Sequence, residues 1–268
     1  MGRLKCIKKG TKMNIKSLQK ISYIAVPYIV VELLQYFLMT IIALIRGFIV
    51  ISADALYILS ASITAVCGIV FFFWYKHEHP RKSMKKTKKL FTAKNISLFI
   101  LLGIGCQFFF SGMIAIIRPY FTKVFEQYAF VLENITAGKE LVVLIFMLIV
   151  APVSEELIFR GVIFNRANRL YSFIYANILQ ALLFGLYHGN LVQGIYAALI
   201  GLLLGAVCIK FESILASILL HMIINASSLL MVFVEEQLIS YIIIILLGGT
   251  LMLVTILGLN ITKFGSQQ

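Results

Sequence analysis

The sequence predicts an all-α, polytopic integral membrane helical bundle of about eight transmembrane helices. Three observations carry that expectation. Hydrophobic residues make up 61% of the chain and charged residues only 13%, whereas a soluble domain holds roughly half and a quarter. The mean hydropathy is +0.98. Apolar runs of about 20 residues, enough to cross a bilayer core of about 30 Å, recur along the chain. Lipid offers the backbone no hydrogen-bond partner, so these runs must be helical; a barrel would show short alternating segments.

Taken in order, the expected spans cover about 21–45, 55–75, 96–117, 140–165, 172–188, 191–209, 213–234 and 238–260. The first follows a basic start but is too long, and lacks the small-residue cleavage site, for a signal peptide. Position 6 is Cys, so Met1-Gly2 does not open a myristoylation signal. Of the 24 basic residues, 15 lie in two segments, Arg3 to Lys20 and Lys76 to Lys94. By the positive-inside rule both face the cytoplasm, where they meet anionic lipids. A cell-membrane protein with both termini cytoplasmic follows. The net charge of +13 therefore reads as topology, with no nucleic acid as partner. The turn at Arg166–Arg169 falls on the inner side, and the 118–139 segment, rich in aromatics, reads as a helix along the outer interface.

Four domains are expected. They are a basic cytoplasmic arm (1–20), three spans with the basic loop and outer segment (21–138), the core that carries the chemistry (139–260) and a cytoplasmic tail (261–268). Cys6, Cys67, Cys106 and Cys208 are too scattered for a disulfide framework or a thiolate metal site. Gly194, Ala198, Gly201 and Gly205 form a small-residue stripe suited to close helix packing.

Ionisable groups inside spans are costly, about 2.5–3.5 kcal/mol each at the bilayer centre on the most lenient scale, so they point to function. Span four reads Ala151-Pro-Val-Ser-Glu-Glu-Leu-Ile-Phe-Arg160. Glu155 and Glu156 stand about 100° apart on a helix and should not easily share a partner. Glu156 and Arg160, four apart, can pair. Glu155 is then free to point into the bundle, where a carboxylate suits base chemistry. Pro152 removes a helix hydrogen bond just upstream. His188 closes span five, and His221 and Asn225 share a face of span seven. A carboxylate can activate water, imidazoles can hold water or metal, and an asparagine amide can donate to an oxyanion. Those are the parts of a peptide hydrolase. HExxH, GxSxG and paired aspartates are absent, Asp54 being the chain's only aspartate.

Glu155-Glu156-x-x-x-Arg160, Phe184-x-x-x-His188 and His221-x-x-x-Asn225, in that order on successive apolar segments, resemble the CPBP family. This is the CAAX protease and bacteriocin-processing, or Abi, group, and the likeness covers about residues 140–235. It implies an intramembrane endopeptidase like the type II CAAX prenyl proteases, acting on a peptide or membrane-protein substrate. On that likeness Glu155 activates the water, His188 supports it, His221 and Asn225 stabilise the oxyanion, and Glu156 and Arg160 hold the site. Glu155, His188 and His221 could bind zinc, and a metal-free glutamate mechanism is equally open. A short Lys- and Ile-rich chain resembles the bacterial peptide-maturation or bacteriocin-immunity members. A non-enzymatic scaffold or immunity protein is the alternative, with an ion-coupled transporter behind it. By these spans Glu155 and His221 lie roughly 10–14 Å from the inner face, but His188 lies near the outer end of span five. Their meeting requires span five to tilt, break or start deeper.

Overall fold

The computed structural model describes residues 17–79, 90–136 and 140–260. Most of the basic arm, the lysines between positions 81 and 89, and the tail from 261 lie outside the described residues. Among the described residues there is no strand. The helices are α1 (Ser17–Arg46), α2 (Ala53–Glu78), α3 (Ala93–Ile117), α4 (Thr122–Thr136), α5 (Glu140–Leu170), α6 (Phe173–Tyr187), α7 (Leu191–Lys210), α8 (Ile214–Ser227) and α9 (Leu238–Gly258). Side-chain oxygens of Ser52, Thr92 and Asn190 accept from backbone N–H groups at the starts of α2, α3 and α7, satisfying donors that the helix leaves open.

Seven of these helices, all but α4 and α6, are long and apolar enough to cross a membrane, α8 counting with the 3₁₀ turn that prolongs it to Phe233. The one expected span not among them, span five, is α6; it has only 15 residues, which reach about 22 Å and so fall short of a bilayer core. The helix expected in the 118–139 segment is present as α4. It buries Phe125, exposes Phe130, and brings the Tyr128 hydroxyl within 3.5 Å of the Tyr196 hydroxyl on α7.

Two apolar cores organise the bundle. One joins α1, α2, α5 and α6 around Val31, Phe71, Phe159, Phe164 and Phe184. The other joins α3, α7 and α8 around Phe99, Leu102, Leu204 and Leu220. Packing of α3 on α9 depends on Gly248, where a Cβ would stand 2.5 Å from the Phe109 amide nitrogen. The stripe on α7 packs on α6 as expected. At Gly205 a Cβ would stand 1.9 Å from Asn177 Oδ1, and Asn177 cannot withdraw cheaply because it donates to the Leu202 carbonyl and accepts from Gln180.

The long helix α5 ends later than its charges suggest. The segment at Arg166 and Arg169, expected as a turn, is the last stretch of helix, Asn165–Leu170. Both arginines find partners there. Arg166 Nη2 lies 2.7 Å and Arg169 Nη1 3.2 Å from the carboxylate of Glu78 on α2, and the Arg166 guanidinium stacks over Tyr23 and Trp74 at 4.5 and 4.8 Å. The chain turns only at Tyr171 and Ser172. Two stretches of α5, Phe146–Val150 and Leu157–Phe164, are wound as π-helix, a local form that concentrates at functional sites.

Candidate active site

The late turn settles the depth of His188. Glu155 precedes Leu170 by 15 residues, and His188 follows Phe173 by the same number on the returning helix. Counted from that turn, the two reach similar depth. The short α6 stops where it meets the glutamates, and the chain leaves through Gly189, whose φ of +68° suits glycine. The tilt, break or deeper start expected of span five is replaced by a different arrangement, a helix of 15 residues returning from a longer α5.

The centre of the cluster is Glu156, which is fully buried. Its Oε1 accepts from Arg160 Nη1 at 2.7 Å and lies 3.0 Å from His221 Nδ1. Arg160, also fully buried, donates from Nη2 to the Gly201 carbonyl at 3.1 Å and lays its guanidinium 4.5 Å over the Phe184 ring. A buried cation needs this much company: one carboxylate, one carbonyl and one aromatic face. The room for it on α7 comes from Gly201, where a Cβ would press on the guanidinium at 3.2 Å.

His221 uses its second ring nitrogen on the other glutamate. Nε2 stands 3.8 Å from Glu155 Oε2. The sequence expectation that adjacent glutamates would not share a partner is thus corrected. They reach one imidazole from its two nitrogens, Glu156 at Nδ1 and Glu155 at Nε2. Glu155 keeps 13% of its side chain exposed, against none for Glu156. The two carboxylates are therefore differentiated, one committed to Arg160 and the other open to a small molecule such as water.

Phe184 ties the histidines together. Its ring lies 4.8 Å from that of His188 and 5.9 Å from that of His221, edge to face in both cases, and 5.0 Å from Phe159. His188 Nδ1 is 2.8 Å from the Phe184 carbonyl. With Nδ1–H donating there, Nε2 is left as an acceptor.

Asn225 sits elsewhere in the arrangement. Its Nδ2 donates to the Met147 carbonyl at 2.8 Å. In the first π-wound stretch the Ala151 N–H reaches back five residues to Phe146. The next donor in that register would be residue 152, serving Met147, but Pro152 has no N–H. The Asn225 amide takes its place, so one of the asparagine's two donors supports the deformed helix. Asn165 does similar duty further along, donating to the Arg160 and Gly161 carbonyls.

The structure thus brings Glu155, Glu156, Arg160, His188 and His221 into one cluster, with Asn225 one turn away along α8. Sequence reasoning missed the Gly201 carbonyl, though Gly201 lay in the small-residue stripe, and it missed Tyr187; Gln35, which with Glu32 reads in span one as a polar group suited to a helix–helix hydrogen bond, makes one to the Tyr187 hydroxyl. Among the described residues no three His, Cys, Asp or Glu side chains are placed to hold a metal ion. The set Glu155, His188 and His221 does not fit one in this arrangement, and no step below passes through a metal.

Fold and geometry together describe a polytopic helical membrane protein in which Arg160, Glu156, His221 and Glu155 are joined by successive contacts within the bundle. Residues 137–227 match the family model described as type II CAAX prenyl endopeptidase Rce1-like. All seven motif positions fall within that stretch, so the family resemblance read from them is borne out there, and the family implies a protease with a membrane protein or peptide as substrate. No curated protein and no solved structure matches the chain.

Proposed function

We propose that the chain is an intramembrane endopeptidase that hydrolyses a membrane-associated peptide or protein using water activated by Glu155. The observation that carries this reading is the single imidazole set between two unlike carboxylates. Glu156, neutralised by Arg160, orients His221 through Nδ1, and Nε2 is left facing Glu155.

Those placements support a hydrolysis by activated water. Glu155 takes a proton from water, and the water oxygen bonds to the carbonyl carbon of the scissile peptide. The charge that develops on the carbonyl oxygen is met by His221 through Nε2 and by the Asn225 N–H not given to Met147. Such donors count for most where water is excluded. Glu155 then passes its proton to the leaving nitrogen as the C–N bond breaks. His188, through Nε2, holds the attacking water against Glu155. The basic segments at the chain's start and between α2 and α3 would keep the protein against anionic lipid.

His221→Ala is the first test. Membranes carrying the variant at wild-type abundance should cleave a fluorogenic farnesylated CAAX-type peptide on the order of 10²–10³-fold more slowly, the loss typical of a missing oxyanion donor. Undiminished cleavage by the accumulated variant would sink the assignment. No cleavage by either protein would favour the non-enzymatic scaffold. A second expectation concerns metal. Dialysis of the purified protein against EDTA should leave its cleavage rate unchanged, whereas a loss reversed by added zinc would restore the zinc alternative.

A further inference from the structure

Little of α1 is buried, and it turns Leu33, Tyr36 and Phe37 outward, yet it carries Glu32 and Gln35. Polar side chains in a membrane helix need partners and usually have a purpose. Glu32 hydrogen-bonds Tyr28 one turn back. Gln35 reaches across to α6, where its Nε2 donates to the Tyr187 hydroxyl. Tyr187 immediately precedes His188. Its ring lies 5.2 Å from Phe159 and 6.1 Å from His188, edge to face in both cases, and the Glu155 carboxylate lies within electrostatic reach of the phenol.

A phenol oxygen that accepts from an amide keeps its own O–H to donate. Asn225, by contrast, has already spent one donor on Met147. We propose that the Tyr187 hydroxyl, held by Gln35, is a further catalytic group of the site, donating a hydrogen bond to the scissile carbonyl oxygen as it becomes an oxyanion. This rests on the endopeptidase reading above. It also gives α1, which the family match does not cover, a part in the chemistry: Gln35 is a positioning residue acting through Tyr187.

Two measurements on the full chain in nanodiscs test it. The first is steady-state cleavage of the farnesylated CAAX-type peptide. Tyr187→Phe keeps the ring contacts and removes only the oxygen, so kcat should fall on the order of 10²-fold with KM unchanged. Gln35→Leu should lower kcat by less, again at constant KM. A wild-type kcat for Tyr187→Phe overturns the proposal, as does a defect confined to KM or to protein abundance. The second needs no substrate. With tyrosine labelled by ¹³C at Cζ, the resonance missing from Tyr187→Phe should shift in both Gln35→Leu and Glu155→Gln, and a resonance unmoved by either overturns the placement. A wild-type protein that cleaves nothing overturns the endopeptidase reading instead, and that failure appears before any substitution is made.

Discussion

Replacing Arg160 with Met is expected to cost about 3–5 kcal/mol of stability, the usual penalty for stranding one member of a buried ion pair. The variant leaves Glu156 without the guanidinium 2.7 Å away, in a place where neither side chain meets solvent. It also removes the cation from the face of Phe184 and the donor from the Gly201 carbonyl. Thermal unfolding in detergent would read the loss. The informative control is the double replacement of Arg160 by Met and Glu156 by Gln, which removes both charges. It should recover most of the stability, since an apolar or neutral pair often serves as well as a buried ionic one. A double variant no more stable than Arg160→Met alone would show that the charge of Glu156 is not what the arginine balances.

Glu155→Gln is the second change with a large expected effect. The amide keeps the shape of the side chain but cannot take a proton from water, so cleavage should fall by about 10²–10⁴-fold, the range supplied by a positioned general base. Stability should change little, because Glu155 is partly exposed and its contact with His221 Nε2 is long, at 3.8 Å. Activity lost at constant melting temperature is therefore the signature of Glu155, and stability lost with the pair broken is that of Arg160. Rates in the purified Glu155→Gln protein above a hundredth of wild type would move the base elsewhere.

Much of this arrangement was legible in the sequence. The spans follow from hydropathy, and the Glu156–Arg160 contact follows from a spacing of four. Six of the motif residues stand out because they are polar groups in apolar helices. What escaped depended on tertiary partners. Charge at Arg166 and Arg169 suggested a turn, but Glu78, 88 residues earlier than Arg166, absorbs both and lets α5 run on to Leu170. That continuation, with a short α6, is what brings His188 level with Glu155. The sharing of His221 depends on how α8 packs on α5, which no periodicity records. Pro152 was legible as a gap in the helix ladder, whereas its filling by Asn225 was not. Gln35 was legible as a polar group of span one suited to a helix–helix hydrogen bond, but its partner Tyr187, 152 positions away, was not.

The endopeptidase reading requires this chain by itself to hydrolyse a peptide bond within the membrane. The direct measurement is mass spectrometry of a farnesylated CAAX-type peptide incubated with liposomes that contain only the purified wild-type protein. The expected result is two fragments whose masses sum to the peptide plus one water, absent when the protein carries Glu155→Gln. A peptide left intact by folded wild-type protein, or cut equally by the Glu155→Gln variant, would contradict it.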